Sequence, residues 1–149
     1  MALAAKRSGS SWRTFVLMGD GEHGEGSIME AAAAAGHYKL DNLVALIDRN
    51  GLQISGKTEE VMSIEDLEAK YRACGWNVRT CDGHNISELT DTLSEVPFEE
   101  GNPSLLIAHT VKGKGVSFME DKAGWHHKVP STEQLEQALE ELNSLVEEK

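Results

Sequence analysis

Two short apolar runs separated by a helix-forming segment constrain the fold of this chain more than any other feature. The runs are residues 15–18 and 43–47, and each ends at glycine, acidic or polar residues. Runs of this kind suit strands that are buried on both faces of a parallel sheet. Between them, Ser27–Glu30 has the form of a capping box, and the alanine-rich stretch to about Lys39 favours a helix. The pattern predicts a strand, a helix and a second strand.

The same alternation continues along the rest of the chain. The further predicted elements are a helix over residues 64–74 capped by Ser63 or Asp66, a strand near 76–81, a helix near 86–96, a strand over 104–111 and a helix after Pro130. Alternating strands and helices imply an α/β fold with a doubly wound, mostly parallel sheet. In such folds the ligand site lies at the carboxyl ends of the strands.

The closing helix carries a clear sequence pattern. Ser131 and Gln134 form a second candidate capping box at its start. Apolar residues then recur at helical spacing, at Leu135, Ala138, Leu139, Leu142 and Val146. We therefore expect this helix to pack one face against the domain.

Length and charge limit the classes of protein that fit. The chain has 149 residues, so we expect one domain over residues 1–149. No apolar run approaches the roughly 18 to 20 residues that cross a bilayer, and no secretory signal pattern is present, which favours a cytoplasmic protein. The net charge of −11 opposes binding to nucleic acid or anionic membranes. Cys74 and Cys81 form no C-x-x-C pair, so we expect buried thiols rather than a disulfide or metal site.

Polar residues directly follow both of the first two predicted strands. Gly19-Asp20-Gly21-Glu22 comes after the first strand, and Asp48-Arg49-Asn50-Gly51-Leu52 comes after the second. Magnesium takes about six oxygen ligands, only a few of them from protein and the rest from phosphate and water. Asp20 and Asn50 suit that division, and the glycines beside Asp20 permit a diphosphate to approach backbone N–H groups. The spacing predicts a magnesium and diphosphate site.

Each of these motifs alone has a simpler explanation. An isolated Gly-Asp-Gly is usually a turn, and an isolated Asp-x-Asn is often only a polar strand end. The combination is more specific, because Asp20 and Asn50 follow two predicted strands with one helix between them.

The combined pattern resembles the transketolase family, and the likeness extends over nearly the whole chain. The matching segments are Val16–Glu22, Glu25-Gly26, Glu30-Ala31, Ala35–His37, Leu40, Asn42-Leu43, Asp48 with Asn50, Ile54 with Gly56, Gly75-Trp76, Asp82–His84, Lys112–Gly115 and Gly124–His126. The resemblance implies the diphosphate-binding domain of the thiamine-diphosphate-binding fold, with thiamine diphosphate and Mg²⁺ as cofactors and Ca²⁺ or Mn²⁺ as substitutes. It also implies transfer of a two-carbon ketol unit from a ketose to an aldose.

The resemblance assigns roles to individual residues. The implied cofactor-binding residues are Gly19, Asp20, Gly21, Glu22, Asn50, Leu52 and His126, and the implied metal ligands are the Asp20 and Asn50 side chains and the Leu52 backbone carbonyl. Glu25 and Asp48 resemble positions near the cofactor and its subunit contact, although a strand-end role for Asp48 stays open.

Histidines and lysines in the later segments are further candidate site residues. His126 resembles the family histidine that faces the diphosphate and the reacting end of the substrate, where an imidazole could exchange protons with a hydroxyl, so it is the catalytic candidate. The family usually has glycine after it, where this chain has His127. The other candidates are His84 and His109, which are more typical of structural histidines, and Lys112 and Lys114, which suit either phosphate binding or solvation.

The resemblance also implies a partner. The family's activating glutamate belongs to a separate pyrimidine-binding domain, and other family segments lie upstream of the stretch that this chain matches. We therefore expect a homo- or hetero-oligomer with a pyrimidine-binding subunit or domain, sugar phosphate substrates, and some uncovered sheet or helix surface. The alternatives are a noncatalytic thiamine-diphosphate-binding module, another thiamine enzyme such as deoxyxylulose-phosphate synthase or a dehydrogenase component, and a purely structural domain.

Overall fold

A four-stranded parallel sheet forms the centre of the computed structural model, which describes the backbone of residues 1–147 and the side chains of residues 1–145. In chain order the elements are α1 (Ala2–Ser8), β1 (Thr14–Gly19), α2 (Gly26–His37), β2 (Leu43–Arg49), β3 (Leu52–Gln53), β4 (Gly56–Lys57), α3 (Thr58–Val61), α4 (Leu67–Ala73), β5 (Asn77–Asp82), α5 (Ile86–Ser94), β6 (Ser104–His109) and α6 (Thr132–Glu147). The sheet order is β1-β2-β6-β5, with every pair parallel. The predicted parallel sheet is confirmed.

Helices cover both faces of this sheet. Successive residues of a strand point to opposite faces, so Leu105 and Leu106 of β6 belong to different clusters. The cluster around Leu105 includes residues of α1, α2 and α4, whereas the cluster around Leu106 includes partly buried residues of α5. Packing on two faces makes the sheet doubly wound, as the alternation of elements predicted.

Two predicted helix starts differ from the structure. The capping box at Ser27–Glu30 is wrong, because α2 begins at Gly26, and Glu25 at its N-cap makes no side-chain capping bond. The helix predicted over residues 64–74 begins later, at Leu67, where the side chain of Asp66 accepts a hydrogen bond of 3.1 Å from the Ala69 N–H. Capping motifs are short, so a match can occur within a helix as well as at its start.

The small β3–β4 hairpin and α3 were not predicted. The two strands pair antiparallel, with Leu52 opposite Lys57 and Gln53 opposite Gly56. Strands of two residues are too short to show the period-two pattern on which strand prediction rests. This hairpin follows β2 and lies beside the carboxyl end of the sheet, so it contributes to the candidate site.

The capping box of α6 is confirmed, but the packing expected of this helix is largely wrong. The Ser131 hydroxyl accepts from the Gln134 N–H at 3.3 Å, and the Gln134 side chain accepts from the Ser131 N–H at 3.0 Å. Ala138 is buried, yet Leu135, Leu139 and Leu142 of the same apolar stripe are between 41 and 51% exposed. The side chain of Val146 lies outside the described residues. Periodicity shows which face is apolar, and other elements decide whether that face is covered.

Strand β1 is an edge strand rather than a strand buried on both faces. It pairs with β2 on one side, and Phe15 and Leu17 are 54 and 72% exposed. Met18, on the opposite face from Leu17, is buried in the core. The expectation of full burial for this run is therefore wrong. The expectation of an uncovered sheet surface is met on the face of β1 that carries Phe15 and Leu17.

Two simpler expectations concern the thiols and membrane segments. Both cysteines are free, with Cys81 buried and Cys74 half-buried. Within residues 1–147, no helix has the length and apolar character needed to span a membrane.

Candidate functional site

The sheet register brings the two polar motifs together. Gly19 at the end of β1 is paired with Asp48 of β2, so the residues after each strand emerge at the same edge of the sheet. A 3₁₀ turn over Asp20–Gly24 follows β1 directly, and the β3–β4 hairpin follows β2. This is the carboxyl edge, where ligand sites of doubly wound folds lie.

Asp20 is a buried carboxylate with a positively charged partner. Its side chain is 1% exposed, and its Oδ2 accepts hydrogen bonds from the Gly51 N–H at 2.6 Å and from Arg49 Nη1 at 2.9 Å. Burying an unpaired carboxylate would be strongly unfavourable, and the guanidinium compensates its charge. Among the described residues, none donates a hydrogen bond to Oδ1. Arg49 lies inside the motif, but sequence reasoning gave it no role.

Asn50 and Leu52 lie on a tight turn between β2 and β3. Asn50 Oδ1 accepts from the Leu52 N–H at 3.0 Å. Gly51 between them has φ +75°, a left-handed conformation that glycine adopts without steric cost. A Cβ atom at Gly21, on the facing turn, would lie 2.8 Å from Gln53 Cβ. The two turns therefore approach each other too closely for a side chain at position 21.

The turn after β1 is held by its own side chains. Glu22 Oε2 accepts a hydrogen bond of 2.6 Å from the Gly19 N–H. His23 is buried, and its Nδ1 lies 3.1 Å from the Gly19 carbonyl oxygen, while its Nε2 lies 3.0 Å from the Tyr71 hydroxyl. A carbonyl only accepts, so Nδ1 carries the proton and Nε2 accepts from Tyr71. Sequence reasoning missed His23, because Tyr71 is distant in the chain.

The pKa values of this pair match that assignment. Burial lowers the pKa of His23 below its ordinary value of 6.5, despite the opposing hydrogen bonds to the Gly19 and Asp20 carbonyls, so the ring is neutral at pH 7. Burial raises the pKa of Tyr71 to about 12, so the hydroxyl keeps its proton. A neutral His23 and a protonated Tyr71 fix the conformation of the turn that carries Asp20.

A cavity of about 540 Å³ opens between the two turns. Its lining residues are Gly19, Asp20, Gly21, Glu22, Glu25, Asp48, Asn50, Leu52, Gln53, Ile54, Ser55, Lys112 and His126. Every residue that the sequence predicted for cofactor binding therefore lies on one cavity, including His126 from a distant segment. Asp48 also accepts a short hydrogen bond from the Thr110 hydroxyl, which links β2 to the segment after β6.

Three other candidates lie elsewhere or have structural contacts. His84 Nε2 accepts from the Val111 N–H at 2.7 Å, which is the structural role expected of it. His109 lines a separate, smaller cavity of about 100 Å³ with Arg49 and Glu65. Lys114 is not among the residues that line the larger cavity, whereas Lys112 is.

The donor set of the larger cavity suits a hard cation that is completed by phosphate. Asp20 Oδ1 is free of protein hydrogen bonds among the described residues, and Asn50, whose Oδ1 accepts from the Leu52 N–H, lines the same cavity. No group of three His, Cys, Asp or Glu side chains with metal-binding geometry occurs in the described part of the chain. Carboxylate and amide oxygens are hard donors of the kind that Mg²⁺ takes from protein, with phosphate and water completing its coordination.

Comparison with known proteins identifies the family. Residues 6–143 match the family model described as transketolase, thiamine diphosphate binding domain. The chain belongs to this family.

Individual relatives agree with that assignment. The chain is 53% identical over 147 residues to an apulose-4-phosphate transketolase subunit of Phocaeicola vulgatus, and the match covers 99% of this chain and 52% of that protein. It is 41% identical to a 6-deoxy-6-sulfo-D-fructose transketolase subunit of a Clostridium species, over 95% of this chain and 52% of that protein. The chain thus spans about half the length of these relatives.

Solved structures agree as well. Transketolase from Campylobacter jejuni superposes with a TM-score of 0.87 at 28% sequence identity, over 95% of this chain and 23% of that chain. The predicted thiamine-diphosphate-binding fold is confirmed.

Proposed function

We propose that this chain is the part of a transketolase that binds Mg²⁺ and the diphosphate of thiamine diphosphate. The observation that carries the proposal is the convergence of Asp20, Asn50, Leu52 and His126 on one cavity at the carboxyl edge of the sheet. Their chemistry is suited to a divalent ion and a phosphate group. Ca²⁺ or Mn²⁺ would substitute, because both accept oxygen ligands.

The residues divide into metal ligands, diphosphate contacts and a proton-transfer group. Asp20, Asn50 and the Leu52 carbonyl would hold the ion. Gly19, Gly21 and Glu22 would border the diphosphate. These assignments follow the position of each residue on the cavity and the match to the transketolase family.

The chemistry of ketol transfer divides between cofactor and protein. Thiamine diphosphate, when bound, supplies the carbon nucleophile and the electron sink for moving a two-carbon ketol unit. His126 would exchange a proton with a substrate hydroxyl, since imidazole changes its protonation state near neutral pH. Lys112, on the same cavity, would contribute positive charge towards a phosphate group.

The same proposal includes a partner. Three relatives are named as transketolase subunits, and two of these names specify an apulose-4-phosphate transketolase. We infer that this chain works in a cytoplasmic oligomer with a pyrimidine-binding subunit or domain and acts on sugar phosphates. The uncovered face of β1 that carries Phe15 and Leu17 is compatible with further polypeptide packed against it.

Calorimetry tests the cofactor proposal directly. Thiamine diphosphate is titrated into the chain, with and without a pyrimidine-binding transketolase subunit, in the presence of Mg²⁺ or of a chelator. We expect binding that requires the divalent ion and is tightest with the partner. Absence of metal-dependent binding under all of these conditions would contradict the proposal.

A ketol-transfer assay then separates an enzyme component from a noncatalytic module. The mixture of both subunits with cofactor and Mg²⁺ is supplied with a ketose phosphate donor and an aldose phosphate acceptor. We expect product only when both subunits are present. Metal-dependent binding without any turnover would instead favour the noncatalytic module.

A further inference from the structure

Arg49 joins the candidate cation site to a segment that lines no part of the larger cavity. Its Nη1 is 2.9 Å from Asp20 Oδ2, while its Nη2 is 2.7 Å from Glu59 Oε1 and 3.3 Å from Glu65 Oε1. The Arg49 side chain is 15% exposed, so the ion pairs are partly shielded from water. Glu59 and Glu65 belong to residues 58–66, which contain α3 and the connection to α4 and which we call the acidic segment.

The acidic segment is itself organised around Glu59. Glu59 Oε2 accepts from the Ser63 hydroxyl at 2.7 Å and from the Ile64 N–H at 3.2 Å, while Oε1 faces Arg49. One carboxylate therefore uses one oxygen to hold the segment together and the other to hold Arg49. A movement of the guanidinium would be transmitted to the segment through this residue.

The guanidinium leaves half of the Asp20 carboxylate available. Arg49 and the Gly51 N–H both donate to Oδ2, and no described residue donates to Oδ1. A carboxylate that is held through one oxygen has a fixed orientation and presents the other oxygen to a cation. Hydrogen-bond partners of this kind orient metal ligands and contribute to metal affinity.

The charges of the cluster favour a divalent ion despite the nearby guanidinium. Arg49 pairs with three carboxylates, those of Asp20, Glu59 and Glu65. These four side chains together carry an excess of two negative charges, so the guanidinium does not cancel the negative charge around Asp20. Burial opposes the charge on Arg49, but its hydrogen bonds to Asp20 and Glu59 outweigh that effect and raise the pKa of the guanidinium. Arg49 remains charged at any ordinary pH.

We propose that Arg49 is a positioning residue that holds Asp20 for the divalent ion and couples occupancy of that site to the order of the acidic segment. This inference rests on the proposed function, because it takes Asp20 as a metal ligand. Arginine suits the role better than lysine, since a planar guanidinium donates to Asp20 and to Glu59 from separate nitrogens, whereas an ammonium is a single point of charge.

Metal affinity of an Arg49→Met variant is the first test. Mn²⁺ is titrated into the chain in the presence of thiamine diphosphate, and binding is followed by electron paramagnetic resonance. We expect Arg49→Met to bind Mn²⁺ about 10- to 100-fold more weakly than the unchanged chain, as loss of a partner that orients a ligand typically does. Arg49→Lys should give an intermediate affinity.

Arg79→Met is the matched control. Arg79 lies on β5 of the same sheet and pairs with Glu95, but it does not line the cavity. Its removal should leave Mn²⁺ affinity within about twofold, since it contacts no proposed ligand. Circular dichroism of each variant confirms that the fold is retained.

Hydrogen exchange provides a readout that a merely structural arginine would not change. Addition of Mn²⁺ and thiamine diphosphate should slow amide exchange in residues 59–65 of the unchanged chain. In Arg49→Met this response should be lost, even at Mn²⁺ concentrations that saturate the weakened site.

The outcomes distinguish the two proposals. If the unchanged chain binds no Mn²⁺ with thiamine diphosphate, either alone or together with a pyrimidine-binding subunit, the proposed function fails and this inference fails with it. If the unchanged chain binds and Arg49→Met binds equally well, only the role of Arg49 is overturned. Tighter binding by Arg49→Met would also overturn it, because the guanidinium would then be a competitor of the metal.

Discussion

The carboxyl end of β1 and one face of the same strand differ sharply in how completely other residues of the chain surround them. At its carboxyl end, Asp20 is 1% exposed and paired with Arg49, and the turn that carries it is held by His23. On one face of the strand, Leu17 is 72% exposed, although it is as apolar as any core residue. The strand thus supports a well-ordered polar site next to an apolar surface that is incompletely covered.

This difference shows which parts of the structure the chain completes with its own residues. A polar site needs a few partners with specific geometry, and the neighbouring turns of β1 and β2 supply them. Covering an apolar face of a sheet needs another packed layer of helices or strands.

Substitution of neighbouring residues on β1 tests the contrast within the strand. Met18 is 8% exposed and Leu17 is 72% exposed. Met18→Ala should lower the free energy of unfolding by about 2–5 kcal/mol, the usual cost of truncating a buried large side chain. Leu17→Ala should change it by less than about 0.5 kcal/mol, as for most exposed positions. Urea denaturation measures both.

An equal cost for the two substitutions would mean that the face of β1 that carries Leu17 is covered in solution. Repeating the denaturation at several protein concentrations identifies the cause. A denaturation midpoint that rises with protein concentration would indicate that copies of the chain associate through this face.

Replacement of the buried carboxylate tests the polar end of the strand. Asp20→Asn should weaken Mn²⁺ binding in the presence of thiamine diphosphate by more than about 100-fold, beyond the 10- to 100-fold typical of residues that only orient a ligand. Asp82→Asn, at the end of β5, is the control, because Asp82 accepts from the His84 N–H and does not line the cavity. Unchanged affinity in Asp20→Asn would exclude Asp20 as a metal ligand.

Removal of one hydroxyl group tests how the site turn is held. Tyr71→Phe leaves the buried Nε2 of His23 without its donor and should lower the free energy of unfolding by about 1–3 kcal/mol. Tyr38→Phe is the matched control, since Tyr38 is 43% exposed and its hydroxyl makes no hydrogen bond with described residues. Urea denaturation at pH 7 compares them. Equal stability of both variants would show that water replaces the Tyr71 hydroxyl.

The smallest effect is expected at a partly exposed ion pair between α1 and the connection that precedes β2. Lys6 Nζ is 2.8 Å from Asp41 Oδ1, and both side chains are about a third exposed. At pH 7, Asp41→Asn should lower the free energy of unfolding by less than about 1 kcal/mol, in contrast with the shielded pair of Asp20 and Arg49.

The pH dependence of this pair has a definite sign. The hydrogen bond from Lys6 holds the pKa of Asp41 below its ordinary value of 3.8. Its contribution is therefore present above pH 3.8 and is lost as the pH falls through the folded-state pKa. Thermal unfolding of the unchanged chain and of Asp41→Asn should differ at pH 7 and converge in acid. A difference that persists below both pKa values would point to a role for Asp41 other than its charge.

Local chemistry in the sequence determined most of the architecture and the location of the site. Apolar runs predicted β1, β2 and β6, and the Ser131–Gln134 capping box marked the start of α6, because these signals depend on residues close together in the chain. Asp20 and Asn50 were identified because polar residues after neighbouring parallel strands must share an edge of the sheet. Resemblance to a family, rather than spacing, added Leu52 and His126.

Tertiary structure alone decided which residues became partners and which apolar faces stayed exposed. Arg49 pairs with Asp20 across 29 positions, and His23 meets Tyr71 across 48 positions, so no local pattern marks either contact. The exposed leucines of α6 and β1 have the same periodicity as buried ones. Periodicity is a property of one element, whereas pairing and burial depend on the elements that surround it, and these are present only in the folded molecule.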